Sequence, residues 1–242
     1  MKVAIVYFDR LPMFRKMLQV LRHSVSVHMP GTPVELINPS GSREKPVRGK
    51  RLLDNMIKMR QWHRYLRCEP PDQRIILLDC DMMLTGSLQE VFTHPFDIAF
   101  TRSGRKKEPI NTGAVFVRTG PAVDSFMDRW LDTAEAMYYD PAFHNYWRKT
   151  KQYWGISQAS LGHLLEGPDT GVRIHMLPMR QYNAVGKDHK KFDADTKLVH
   201  IKGHTPLRRA LFKRRKRRRI RGRVGKLVKI WKQYEREFRN NR

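Results

Sequence analysis

Two aspartates one residue apart close a hydrophobic run, Arg74-Ile75-Ile76-Leu77-Leu78-Asp79-Cys80-Asp81. The composition of that run predicts a buried strand. Like charges this close repel one another, and a bound cation removes the cost. Two carboxylate oxygens suit a hard divalent ion, which can also hold a diphosphate. The same pair also suits a helix N-cap or a turn, where aspartate is common. No GxGxxG and no P-loop pattern occurs, so neither a dinucleotide site nor a Walker-type phosphate site is expected. No residue stands out as a nucleophile or catalytic base. The two cysteines, Cys68 and Cys80, are too few for a disulfide scaffold or a disulfide-linked partner.

The elements that would position this pair read as alternating strands and helices. Val3 to Phe8 predicts a buried strand, residues 11–27 a helix, and Val34 to Ile37 a second strand after Pro30-Gly31. A Gly/Pro/Ser-rich loop covers 39–49, and helical spacing returns over 52–67 through Leu52, Met56, Met59, His63 and Leu66. Asp97 to Phe100 and Ala114 to Val117 predict further strands, and 121–137 an amphipathic helix. The alternation indicates an α/β fold with a mixed, mostly parallel sheet. In such sheets ligands sit beyond the carboxyl ends of the strands, where Asp79 and Asp81 fall.

From here the sequence resembles the GT-A fold nucleotide-sugar glycosyltransferases, most closely the family 8 type of phages and bacteria. The resemblance rests on five short motifs in order. Asp79-Cys80-Asp81 matches the family's Asp-x-Asp, and Asn111-Thr112-Gly113 its Asn-x-Gly running into a strand. Gly155-Ile156-Ser157-Gln158 stands where the family has Asp-Gln, and Leu177-Pro178 with Tyr182-Asn183 fits the next block. His200-Ile201-Lys202-Gly203 matches the first half of a His-x-x-Gly-x-x-Lys. Two positions depart: Ser157 replaces the Asp that lies near the sugar in relatives, and Pro206 replaces the final Lys.

The resemblance implies a glycosyltransferase domain over 1–206 that performs hexosyl transfer of the retaining type from a UDP-sugar. It implies a metal held by Asp79, Asp81 and His200; a mixed carboxylate and imidazole set suits Mn²⁺ over Mg²⁺. Tyr7 and Asp9 would contact the nucleobase and ribose, and Arg60 the donor hydroxyls or phosphate. Lys202 and Gly203 would lie by the diphosphate, with Arg208 and Arg209 as other sources of positive charge. Asn111 and Gln158 would bind sugar hydroxyls or stabilise developing charge. Core packing competes for Tyr7, turn chemistry for Asn111, a solvated surface for Arg60 and a satisfied strand-end histidine for His200.

Charge bears on the partner. The 242 residues carry a net charge of +25, and residues 207–242 alone hold 17 Lys or Arg against Glu235 and Glu237. Lys213 to Arg219 are seven consecutive cations, followed by Val224, Leu227, Val228, Trp231, Tyr234, Glu235 and Phe238 at near-helical spacing. This predicts a basic helical tail over 207–242. It could lie on an anionic membrane with Trp231 and Phe238 inserted, or grip a phosphate backbone while its helix docks on the body. The expected acceptor is polyanionic: a modified-base nucleic acid, with a lipopolysaccharide-like surface glycan as the alternative. A non-catalytic nucleic-acid-binding module is the reading from another class. No spanning run of apolar residues and no secretion signal is present, so a cytoplasmic setting is expected, peripheral at the inner membrane face if lipid is the surface.

Overall fold

The computed structural model describes residues 1–8, 12–39, 46, 49–102, 110–151, 153, 155–167, 169–203, 205–212 and 222–240. Asp9, most of the 39–49 loop and the cationic run 213–219 lie outside these. Strands β1 (Lys2–Val6), β2 (Val34–Ile37), β3 (Arg74–Asp79), β5 (Ile98–Arg102), β6 (Ile110–Arg118) and β7 (Ile174–Pro178) form one six-stranded sheet in the order β2-β1-β3-β6-β5-β7. Only β6 runs against its neighbours. The sheet is therefore mixed and mostly parallel, as the alternating pattern predicts.

Why the strands read as continuous apolar runs follows from their burial on both sides. Ala4, Val6, Ile75, Leu77, Val115 and Val117 face one core, packed by helices α2 (Lys50–Arg67), α3 (Pro121–Tyr139) and α5 (Ile156–Glu166). Val3, Ile5, Ile76, Leu78, Ala114 and Phe116 face the other, packed by α1 (Pro12–His28). Alternation along each strand thus sorts neighbouring residues into different cores. Helix α4 (Pro141–Thr150) begins where the Asp140 carboxylate caps the amides of Ala142 and Phe143.

A second, three-stranded sheet escapes the sequence reading, because its strands are too short to show a period. β4 (Met82–Leu84) follows directly on the acidic pair and pairs antiparallel with β9 (Leu198–His200), which pairs with β8 (Ala184–Val185). Between β7 and β8 lies one helical turn, α6 (Met179–Tyr182).

A third core joins this sheet to α1 and to the last helices, α7 (Pro206–Phe212) and α8 (Gly222–Asn240). Val224, Leu227, Trp231 and Tyr234 of α8 bury against Met17, Val20, Met83, Val199 and Ile201. Tyr234 also reaches His28 Nε2 at 2.7 Å through its hydroxyl. The insertion of Trp231 into a membrane is thereby overturned: its ring is 3% exposed and spent on the body. Phe238 is half-buried on the same helix. Pro206, the departure from the family Lys, is the first residue of α7, where its missing N–H costs nothing and Thr205 caps the amide of Arg208. Among the described residues no helix is long and apolar enough to cross a membrane.

Truncating Trp231 should show that α8 belongs to the cooperative unit. Trp231→Ala is expected to cost about 3–5 kcal/mol in denaturant unfolding. An unchanged midpoint would mean that α8 frays independently.

Candidate active site at the carboxyl edge of the sheet

The chain directions place five segments at one edge. Val6 pairs with Asp79 and Leu78 with Ala114, so the end of β1, the end of β3 and the start of β6 meet there. Thr101 pairs with both Asn111 and Leu177, bringing the ends of β5 and β7 alongside. The β4–β9 pairing then sets His200 opposite Met82, one residue past Asp81, and the Ile201 amide donates to the Asp81 carbonyl at 2.7 Å.

Asp79, Asp81 and His200 each turn one ligand atom into a common space, all within 4.8 Å of one another. His200 Nε2 lies 3.1 Å from Asp81 Oδ1 and 3.8 Å from Asp79 Oδ2. Which atom of His200 carries a proton follows from a chain of hydrogen bonds that starts at a backbone amide. The Gly113 N–H, which can only donate, reaches Asn111 Oδ1 at 2.8 Å. The group that meets the same oxygen at 3.0 Å must also be a donor, which fixes it as Asn183 Nδ2. Asn183 Oδ1 therefore faces His200 Nδ1 at 2.9 Å, and Nδ1 donates. Nε2 is left to face two carboxylates. With only a lone pair there the contact would be repulsive; a second proton or a cation must fill it.

Gly113 is needed at this spot. A Cβ there would sit 2.6 Å from His200 Cε1 and 2.8 Å from the Met82 methyl. The Asn-x-Gly pattern thus has two separate jobs: Asn111 relays the proton-donor order and Gly113 leaves room for the imidazole. His189, fully buried, donates through Nε2 to the carbonyls of Ala184 and His200 at 3.0 and 3.1 Å. Burial holds its pKa below the ordinary histidine value, so it stays a neutral clamp on the ends of β8 and β9.

The charges around the site are arranged to favour the acids. Burial alone would push the Asp81 carboxyl up; the charge and hydrogen bond of His200, the charge of Lys202 and a backbone hydrogen bond outweigh it, and the group sits below its ordinary value. Lys58 Nζ lies 2.8 Å from Asp79 Oδ1 and 4.4 Å from the centre of the Trp62 ring. Cys80, between the acids, is no nucleophile: burial first, then the charges of Asp81 and Asp79, push its thiol well above the ordinary value.

The other expected site residues divide. Tyr7 follows β1 at this edge and is 8% exposed within the second core. Gln158 lies in the first turn of α5 and donates through Nε2 to the Ile110 carbonyl at 3.0 Å, beside Asn111. Asn111 is 5% exposed, and both bonds to its Oδ1 come from the protein. Gly203, in the left-handed region at φ 64°, and Lys202 follow His200 directly. Ser157 is buried, with its hydroxyl 2.9 Å from that of Thr112. Arg60 donates through Nε to Glu135 of α3 at 2.8 Å. It lies two positions from Lys58, on nearly the opposite side of α2, and Lys58 is the α2 cation that meets Asp79. Lys58, Asn183 and His189 were missed as site residues. A lysine one helical turn before a tryptophan, facing the strand end, was the only signal for Lys58.

As a sequence the chain matches no protein-family profile and no curated protein. Solved structures do resemble it. A galactosyltransferase, LgtC, crystallised with donor and acceptor sugar analogues, superimposes with a TM-score of 0.59 at 11% identity, over 98% of this chain and 96% of that one. A glycosyltransferase involved in glycosylation of the major capsid of PBCV-1 gives 0.56 at 12%, over 84% and 96%. The glycosyltransferase GlyE of Streptococcus pneumoniae gives 0.55 at 13%, over 99% of this chain and 63% of that one. The architecture is that of the GT-A glycosyltransferases.

A cation that loads a set of carboxylates and an imidazole competes with protons for the same ligand atoms. Calorimetric titration with Mn²⁺ should show heats that depend on the ionisation enthalpy of the buffer, and affinity that falls as pH is lowered. Asn183→Ala should weaken Mn²⁺ binding by about 10–100-fold, as expected on losing a group that orients a ligand, and Gly113→Ala should also weaken it. Unchanged affinity in both would show that His200 is not a ligand. With Ellman's reagent on the folded chain, exposed Cys68 should react fast and Cys80 slowly.

Proposed function

We propose that this protein is a metal-dependent glycosyltransferase of the family 8 kind, moving a sugar from a nucleotide-diphosphate donor, a UDP-sugar, to an acceptor hydroxyl. The observation that carries this is the convergence of Asp79, Asp81 and His200 at the ligand edge of a GT-A fold. The donor set fits a divalent ion. Two carboxylates and an imidazole nitrogen already point into one space, and a mixed oxygen and nitrogen set suits Mn²⁺. When bound, the ion supplies Lewis-acid stabilisation of the departing nucleoside diphosphate.

The chain's own residues do the rest by position and charge. As the bond from the anomeric carbon to the diphosphate breaks, negative charge gathers on the leaving group. Lys202, next to the site, offsets it. Lys58 holds Asp79 in place, and we assign it the task for which Arg60 was the candidate. Tyr7, at the end of β1, closes the nucleoside end. Gln158 and Asn111 fix the start of β6 beside the sugar, so that transfer depends on orientation, with no protein nucleophile. Ser157, where relatives carry an acid, leaves that side of the sugar to neutral hydrogen bonding. A binding module on the same fold would have no use for two close carboxylates, an imidazole and a buried lysine kept in register, which favours the enzyme.

Thermal unfolding should rise when UDP or a UDP-sugar is added with Mn²⁺, and rise less with either alone. Asp81→Asn should abolish the joint effect while remaining folded. If no nucleotide sugar with Mn²⁺ or Mg²⁺ stabilises the chain, the transferase reading fails.

A further inference from the structure

The outer face of α8 is cationic along its described length. Arg223, Lys226, Lys229, Lys232 and Arg236 are exposed, and from Arg223 to Arg236 they span about 20 Å of helix. Its two acids do not interrupt them. Glu235 pairs with Lys16 of α1 at 3.6 Å and Arg239 at 2.7 Å, and Glu237 meets His23 of α1 at 2.8 Å. The apolar residues lie on the other side, in the third core. The helix turns its apolar residues inward and its cations outward, and each of its two acids meets a side chain of α1.

This surface extends toward the metal site. The 3-10 segment Gly186–Lys191 packs against α8 and exposes Lys187, Lys190 and Lys191. Between those lysines the same turn sends His189 inward to the carbonyl of His200. One short segment therefore carries both a part of the basic surface and the clamp on a metal ligand.

We infer that α8 and the 186–191 turn form a docking surface for a nucleic acid, bound through its phosphate backbone. The arrangement fits a rigid polyanion. Duplex DNA carries one charge per roughly 1.7 Å of axis, so a 20 Å row of cations meets an unbroken line of phosphates. A bilayer is the poorer match. An inserted interfacial helix needs an apolar face to bury in the lipid, and the apolar face of α8 is already buried in protein, with Trp231 and Tyr234 among its residues, which leaves a bilayer only the attraction of its surface charge. Use of such a polymer as the acceptor, and only that, rests on the transferase reading.

The test compares the full chain with Lys226→Gln/Lys229→Gln/Lys232→Gln/Arg236→Gln, all solvent-facing positions, and with Lys187→Gln/Lys190→Gln/Lys191→Gln. Binding of a labelled DNA duplex is followed by fluorescence anisotropy across a KCl series, and binding to phosphatidylserine vesicles by co-sedimentation. The α8 variant is expected to lose about tenfold or more in duplex affinity and to give a salt dependence shallower by about 3 in log–log slope, and the turn variant is expected to be weakened too. Both should keep the stabilisation by UDP and Mn²⁺. Unchanged duplex affinity in the α8 variant overturns the proposal, as does wild-type binding to vesicles but not to duplex. Duplex binding by a wild type that shows no donor-dependent stabilisation would keep the docking surface and defeat the transferase reading alone.

Discussion

Two carboxylates and an imidazole nitrogen face one another within 4.8 Å, and the repulsion between the two carboxylates organises the surrounding structure. Nothing in a hydrophobic strand asks for it. The strand β3 delivers one acid, the turn after it delivers the other, and β9 brings the imidazole from far along the chain. Each must then be held against its own repulsion. Lys58 leans on Asp79 from α2, and Asn183 fixes the ring of His200 through a relay that begins at the Gly113 amide. The contacts are buried or half-buried, where electrostatic interactions are stronger than in water.

The two sheets divide the labour. The six-stranded sheet is a rigid floor with a core on each face, and it positions everything that arrives from β1, β3, β5, β6 and β7. The small sheet is a bracket. It has too few residues to be stable alone, and it takes its stability from α1 and α8 through the third core. Asp79 ends a strand of the first and His200 ends a strand of the second, so the site lies at the joint between a part that folds on its own pattern and a part that must be pressed into place.

Much of this could be read from the sequence, and the failures share a cause. Buried strands such as Ile75 to Leu78 and Val115 to Val117 announce themselves because residue after residue is apolar. The acidic pair is visible as an exception at the end of such a run. β4, β8 and β9 have three, two and three residues, too short for any period, so the pairing that sets His200 opposite Met82 is a tertiary fact. Lys58 and Arg60 illustrate the same limit. Both are basic, two apart on one helix, and only the packing of α2 between sheet and α3 says which faces Asp79 and which faces Glu135. The near-helical spacing from Val224 to Tyr234 falls within α8, but an apolar face looks the same in sequence whether lipid or protein covers it.

The dependence of β9 on α8 bears on the order in which the protein is made. Asp79 leaves the ribosome long before His200, and β9 is covered only after Val224 to Tyr234 have been synthesised. A growing chain therefore carries Asp79 and Asp81 through about half of its length before it gains the imidazole, and further still before it gains the support that keeps it there. The three-residue cluster is completed late. Damage near residue 230 would thus act at a distance, on a cluster whose earliest member, Asp79, lies in the first third of the molecule.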